Sequence, residues 1–113
     1  MAIETIFANL SCSDLSVSEP WYEKLFGRPA DRHPMKGLAE WHFTASAEVQ
    51  LHEDKSKAGK SAMTIGVLPM GAERERLVKA GIAAGEIEPV RDFFILRLND
   101  PDGNLIVLAS AQR

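Results

Sequence analysis

Two stretches of this chain, about residues 1–54 and 61–113, run through the same succession of strand and helix signals. In the first, Ile6, Ala8, Leu10 and Cys12 alternate with Thr5, Phe7, Asn9 and Ser11, the period of a strand with unlike neighbours on its two faces. Ser16-Val17-Ser18-Glu19 has the form of a capping box and predicts a helix start, with Pro20 in its first turns. Trp21, Tyr22, Leu25 and Phe26 supply the apolar stripe, and Gly27 followed by Pro29 ends it. A short strand at Arg32–Met35 precedes a hairpin of Leu38–Ala45 and Glu48–Glu53. The second stretch opens with a strand from Ala62 to Leu68, and Pro69-Met70-Gly71 leads into a helix over Ala72–Ala80 that Gly81 stops. Strands at Ile87–Val90, Phe93–Asn99 and from Leu105 follow, while polar Asp54–Ser61 links the halves. Two βαβββ units in one domain, residues 1–113, are the consequence. The expected class is α+β, a curved mixed-sheet cup with helices on its outer face.

The last turn is the most distinctive segment. In Asn99-Asp-Pro-Asp-Gly-Asn104, Pro101 presets φ, Gly103 tolerates positive φ, and Asp100, Asp102 and Asn104 can bond back to their own backbone. Leu105-Ile-Val-Leu108 then continues as a strand. The run Asp-Pro-Asp-Gly-Asn-x-Ile-x-Leu resembles the last hairpin of the vicinal oxygen chelate superfamily, which includes glyoxalase I, extradiol dioxygenases and bleomycin resistance proteins. Asp14 through Trp21-Tyr22 to Leu25-Phe26-Gly27 is similar to the first helix of that family, so the resemblance covers nearly the whole chain.

Composition bounds the function. With 45% hydrophobic and 26% charged residues among 113, the chain is an ordinary globule large enough for a sizeable core. A net charge of -3 without a clustered basic face argues against nucleic acid. Met1–Leu10 lacks a basic start, Glu4 interrupts its apolar residues, and no apolar run is long enough to span a bilayer, so no membrane association is expected. The single Cys12 cannot form an intrachain disulfide, and a cytoplasmic protein is expected. Ala58-Gly59-Lys60-Ser61 imitates the end of a P-loop, but Asp54 stands where its first glycine would be. Asn9-Leu10-Ser11 is a glycosylation triplet inside a strand, and the acidic last turn lacks EF-hand spacing.

The resemblance implies metal ligands at the positions of Phe7, Gln50, Ala62 and Val107. Three of these side chains offer no lone pair, and one neutral amide cannot hold a divalent ion. Neither a metal nor another cofactor is therefore expected. His33, His42 and His52 lack a Cys or carboxylate pattern with ligand spacing and read as partly exposed histidines.

If those four positions face the cup, period two adds Thr5, Asn9, Ser11, Glu48, His52, Thr64, Gly66, Leu105 and Ala109. Phe7 and Val107 make an apolar floor, and Gln50, His52 and Glu48 supply polar contacts, as in a small-molecule site, with Asn9 also expected among the ligand-binding residues. Either Trp41 and Phe43 or Glu40 and His42 share that face; Trp41 and Phe43 are expected as the pocket walls. Arg97, a lone cation between Leu96 and Leu98, is a candidate to orient an anionic group. A metal-free relative that binds or sequesters a small organic ligand as a homodimer is the expected function. The alternatives are a glyoxalase-like lyase or isomerase or a dioxygenase-related enzyme, with an atypical metal site or with His52 or Glu48 in acid–base chemistry, and an interaction module whose cup is filled by its own side chains.

Overall fold

The computed structural model describes every residue from Met1 to Arg113. In the first unit, β1 (Phe7–Cys12) is followed by α1 (Leu15–Phe26), β2 (Arg32–Met35), β3 (Leu38–Thr44) and β4 (Ala47–Glu53). The second unit repeats this with β5 (Ala62–Gly66), α2 (Met70–Lys79), β6 (Glu88–Val90), β7 (Phe93–Asn99) and β8 (Leu105–Ser110). Their sheets have the orders β1-β4-β3-β2 and β5-β8-β7-β6. In each, the first strand pairs parallel with the last and the remaining pairs are antiparallel. A parallel pair needs a crossover, which is the position each helix fills. The α+β repeat expected from the sequence is the observed architecture.

Element ends differ from expectation where backbone donors found nearer partners. Asp14, not Ser16, caps α1: its side chain accepts from the Ser16 amide at 3.0 Å, so the helix starts earlier than the capping-box pattern suggests. Pro20 consequently sits well inside α1, where it removes one donor from the helical ladder. Gly27 closes the helix in the left-handed region (φ 74°) and donates its N–H to the Glu23 carbonyl, the C-terminal geometry that glycine favours. Helix α2 begins at Met70 behind Pro69, two residues before Ala72.

Period two divides each sheet into unlike faces. Leu10, Cys12, Ala39, Trp41, Val49 and Leu51 of the first sheet point to the same side as Tyr22 and Leu25 of α1. Met63, Leu96, Leu98, Ile106 and Leu108 of the second join Met70 and Leu77 of α2. All belong to one continuous buried cluster, so the core lies on the helix side of both sheets.

Polar side chains tie the units together. Arg76 of α2 donates to the carbonyls of Lys24 (2.9 Å) and Leu25, satisfying acceptors that the last turn of α1 leaves open. The β7–β8 turn is fastened more extensively. One oxygen of buried Asp100 accepts from the amides of Asp102 (3.0 Å) and Asn104 (2.8 Å). The other accepts from the Tyr22 hydroxyl (2.6 Å) and the Asn104 amide group (2.8 Å). Asn104, fully buried, also donates to the Ser11 carbonyl (2.8 Å) and accepts from the Ser61 amide (2.9 Å). Asp102 accepts from the amide and hydroxyl of Ser13 at 3.1 and 2.5 Å. The signature turn is thus a clasp that grips β1, α1 and the approach to β5.

Candidate functional site

The faces turned away from the helices carry the candidate site. On the first sheet, register places residues in rows across the strands. Phe7, Glu48 and His42 form one row; Asn9, Gln50 and Glu40 form the next; Ser11, His52 and Leu38 form a third. The first two rows form one hydrogen-bonded network. Asn9 donates to Gln50 (3.0 Å), and Gln50 donates to Glu40 (2.6 Å). Arg32 donates to the other Glu40 oxygen at 2.7 Å, where the His42 Nε2 also lies at 3.3 Å. His42 Nδ1 contacts Glu48, whose second oxygen accepts from the Thr5 hydroxyl at 2.5 Å. The Phe7 ring meets the His42 ring edge-on, 6.1 Å between centroids.

Glu40 is only 3% exposed, a costly place for a charge. Desolvation pushes its carboxyl upward, but hydrogen bonds from Gln50, Arg32 and His42 together outweigh it and hold the carboxyl below the ordinary glutamate value of 4.5. The group is consequently an anion at neutral pH.

The second sheet is apolar by comparison. Thr64, Val107 and Arg97 form one row, and Gly66, Ala109 and Ile95 another. Val90, Phe93, Ile95, Val107 and Ala109 line a concavity of about 490 Å³, with Thr64, Arg91 and Asp92 completing its wall. Arg97 shares the face of Val107, but its guanidinium is paired with Glu88 at 3.1 Å. Phe93 remains 53% exposed.

Of the residues selected from sequence, Phe7, Asn9, Gln50, His52, Arg97 and Val107 lie on these helix-free faces. Trp41 and Phe43 do not, and the expectation that they wall the cup is corrected. Trp41 is completely buried under α1, packed against Tyr22 and Phe26, with Nε1 donating to the Arg28 carbonyl at 3.1 Å. Phe43 shares its parity, packs on Phe26 at 4.8 Å and lies under the Arg28 guanidinium. Glu40 and His42 take the cup face instead. Hairpin register decides this, because pairing His42 with Glu48 and Glu40 with Gln50 puts the polar residues of both strands together. Knowing that register was the only way to prefer them from sequence.

The histidines remain apart. His42 and His52 share a face, but His52 is paired with Leu38, four residues along β3 from His42, roughly 13 Å in a strand. His33 is on the edge strand β2, in contact with Glu19 at 2.8 Å. No group of three His, Cys, Asp or Glu side chains is arranged to hold a metal ion. The four positions of the resemblance fit one no better. Phe7, Ala62 and Val107 have no donor atoms, and the Gln50 carbonyl already accepts from Asn9. The donor set does not fit a divalent cation.

No protein-family model matches the sequence, and no curated protein does. Solved structures match over nearly its full length. A glyoxalase/bleomycin resistance protein from Catenulispora acidiphila superposes with a TM-score of 0.88 at 22% identity, covering 96% of this chain and 98% of its own. TnmS3, described as an antibiotic binding protein from Streptomyces sp. CB03234, gives 0.82 at 19% identity, covering 97% and 98%. Lactoylglutathione lyase from Agrobacterium tumefaciens gives 0.77 at 14% identity, covering 96% and 92%. The duplicated βαβββ architecture, the clasped last turn and these superpositions together establish that the chain has the fold of the glyoxalase/bleomycin resistance superfamily.

Proposed function

We propose that this protein binds a small organic molecule on the helix-free faces of its sheets and acts by sequestering it, as a homodimer. The observation that carries this is the division of labour between the faces. One is an ordered array of hydrogen-bonding groups built on Gln50, Glu40, His42 and Glu48, and the other is a mainly apolar concavity that Val107 lines, with Arg91 and Asp92 in its wall. Mostly apolar walls with a few fixed polar groups are the usual make-up of a small-molecule site. The antibiotic binding described for TnmS3 supports the same use of the fold.

Binding is favoured over acid–base chemistry because the network's groups are already engaged with one another. Both His42 ring nitrogens face carboxylates, and both Glu48 oxygens have partners. A general base needs a free lone pair within reach of the substrate proton. His42 would have to break a contact to supply one.

The test is a thermal-shift screen of drug-like compounds, with native mass spectrometry of tag-free protein to report adducts and oligomeric state. A ligand at 100 times its dissociation constant adds about 2.7 kcal/mol of stability. That corresponds to a rise of roughly 11 °C for a domain this size. Val107→Arg should abolish the shift. A screen with no stabilising compound, or a shift indifferent to Val107→Arg, defeats the cup assignment; a monomer at micromolar concentration defeats the dimer.

A further inference from the structure

A second concavity lies at the seam between the two sheets, lined from the helix-side face and, through Glu48, Thr64 and Gly66, from the margin of the cup face. It has a volume of about 700 Å³ and sits among the start of β1, the end of α1, the β3–β4 hairpin and β5. Ile6, Ala8, Met63 and Ile65 belong to the helix-side parity of their strands, and Phe26 and Phe43 contribute an edge-to-face aromatic pair 4.8 Å apart. Thr64 is the only residue that lines both this space and the concavity of the second sheet, so the two meet at β5 and are otherwise walled by different residues.

Sheet topology explains why this space is unfilled. Strands β1 and β5 are the edges of their sheets; they touch each other but share no ladder. Near Ser11 the clasp holds the units together through Asn104. Toward the other end of β1 no such clasp recurs, and the methyl group of Ala8 and the bare backbone at Gly66 leave the wall of the gap thin. A Cβ at Gly66 would meet no heavy atom within 4 Å. Ile6 is left 68% exposed and Phe43 39% exposed at the border.

We infer that this seam cavity is a second ligand site, for an uncharged, mainly apolar organic molecule. Its volume is within the range of pockets for drug-sized ligands, roughly 300–1,000 Å³. The polar groups at its wall are the hydroxyls of Thr44, Ser46 and Thr64, which can orient one hydrogen-bonding substituent. Glu48 is its only charged lining residue, and its carboxylate, bound by Thr5 and His42, disfavours an anion. The aromatic pair offers a face to a planar body.

Titration with the neutral dye Nile red tests the assignment. Fluorescence should saturate at one dye per chain. Ala8→Leu and Ile65→Trp fill the space from β1 and from β5, and each should weaken binding at least tenfold, whereas Val107→Arg in the cup should leave it unchanged. In the parent protein, methyl resonances of Ile6, Met63 and Ile65 should shift on dye addition while those of Leu105 and Val107 do not, a readout that stands even if a filling variant folds poorly. Absence of saturable binding overturns the proposal. So does binding that survives both fillings, is lost with Val107→Arg, or shifts only the cup methyls; failure of the cup reading alone leaves these results untouched.

Discussion

Removal of the Tyr22 hydroxyl should measure how much the clasp contributes to holding the two units together. The hydroxyl is fully buried and donates to Asp100 at 2.6 Å. Burial first, and then the Asp100 carboxylate, raise the phenol well above its ordinary pKa of 10, so it stays a neutral donor over the whole working range. A hydrogen bond to a charged acceptor contributes about 1.5–3 kcal/mol, and Tyr22→Phe leaves Asp100 with its Asn104 partner, which points to about 2 kcal/mol. At roughly 2.1 cal/mol/K per residue, a domain of 113 residues has an unfolding entropy near 0.24 kcal/mol/K. The midpoint should therefore fall by roughly 8 °C.

Asp100→Ala strands more groups, the Tyr22 hydroxyl and the side chain and amide of Asn104 among them. Its expected cost is about 4 kcal/mol. Because the two side chains share one bond, their double mutant should be less destabilised than the sum by about 1 kcal/mol or more. Urea unfolding of the four proteins provides the cycle. A Tyr22→Phe midpoint within 2 °C of the parent, on the scale of roughly 4 °C per kcal/mol, would show that the clasp does not carry the load argued for it. Strict additivity would do the same.

Other consequences can be checked separately. Glu40 has a depressed folded-state pKa, so its contribution is present above the unfolded glutamate value and lost as pH falls through the lower folded value; Glu40→Gln should flatten the stability profile below pH 4.5 in acid titrations followed by circular dichroism. Trp41→Ala should cost about 3–5 kcal/mol of stability because the indole is core rather than pocket wall, and a variant that lost ligand binding at unchanged stability would restore it to the cup. Burial above all, then the nearby Asp102, pushes the Cys12 thiol up to about 11. At pH 8 it should therefore resist a disulfide reagent in the native state and react at the ordinary thiol rate in urea. Prompt labelling of folded protein would contradict the packing of β1 against α1.

Local chemistry accounts for what was legible in the sequence. Period-two alternation marked Phe7, Asn9, Gln50, His52 and Val107 as sharing the helix-free faces, and Gly27 stopped α1 because its left-handed conformation is a property of one residue. Asp100, Pro101, Gly103 and Asn104 announced a turn for the same reason, while their partners in the clasp, Tyr22, Ser11 and Ser61, are far away in sequence. The α1 start was displaced because Asp14 and Ser16 can both cap and only geometry chooses between them.

The repeat, the parity of each strand and the turn chemistry were determined by the sequence itself, since each depends on neighbours along the chain. Tertiary structure alone decided that Glu40 and His42, rather than Trp41 and Phe43, face the cup, because hairpin register joins strands whose periodicity does not record their alignment. It also decided that β1 and β5 touch without pairing, which leaves the seam cavity between them. A void depends on how two separately formed sheets meet, and no stretch of either sheet encodes that space by itself.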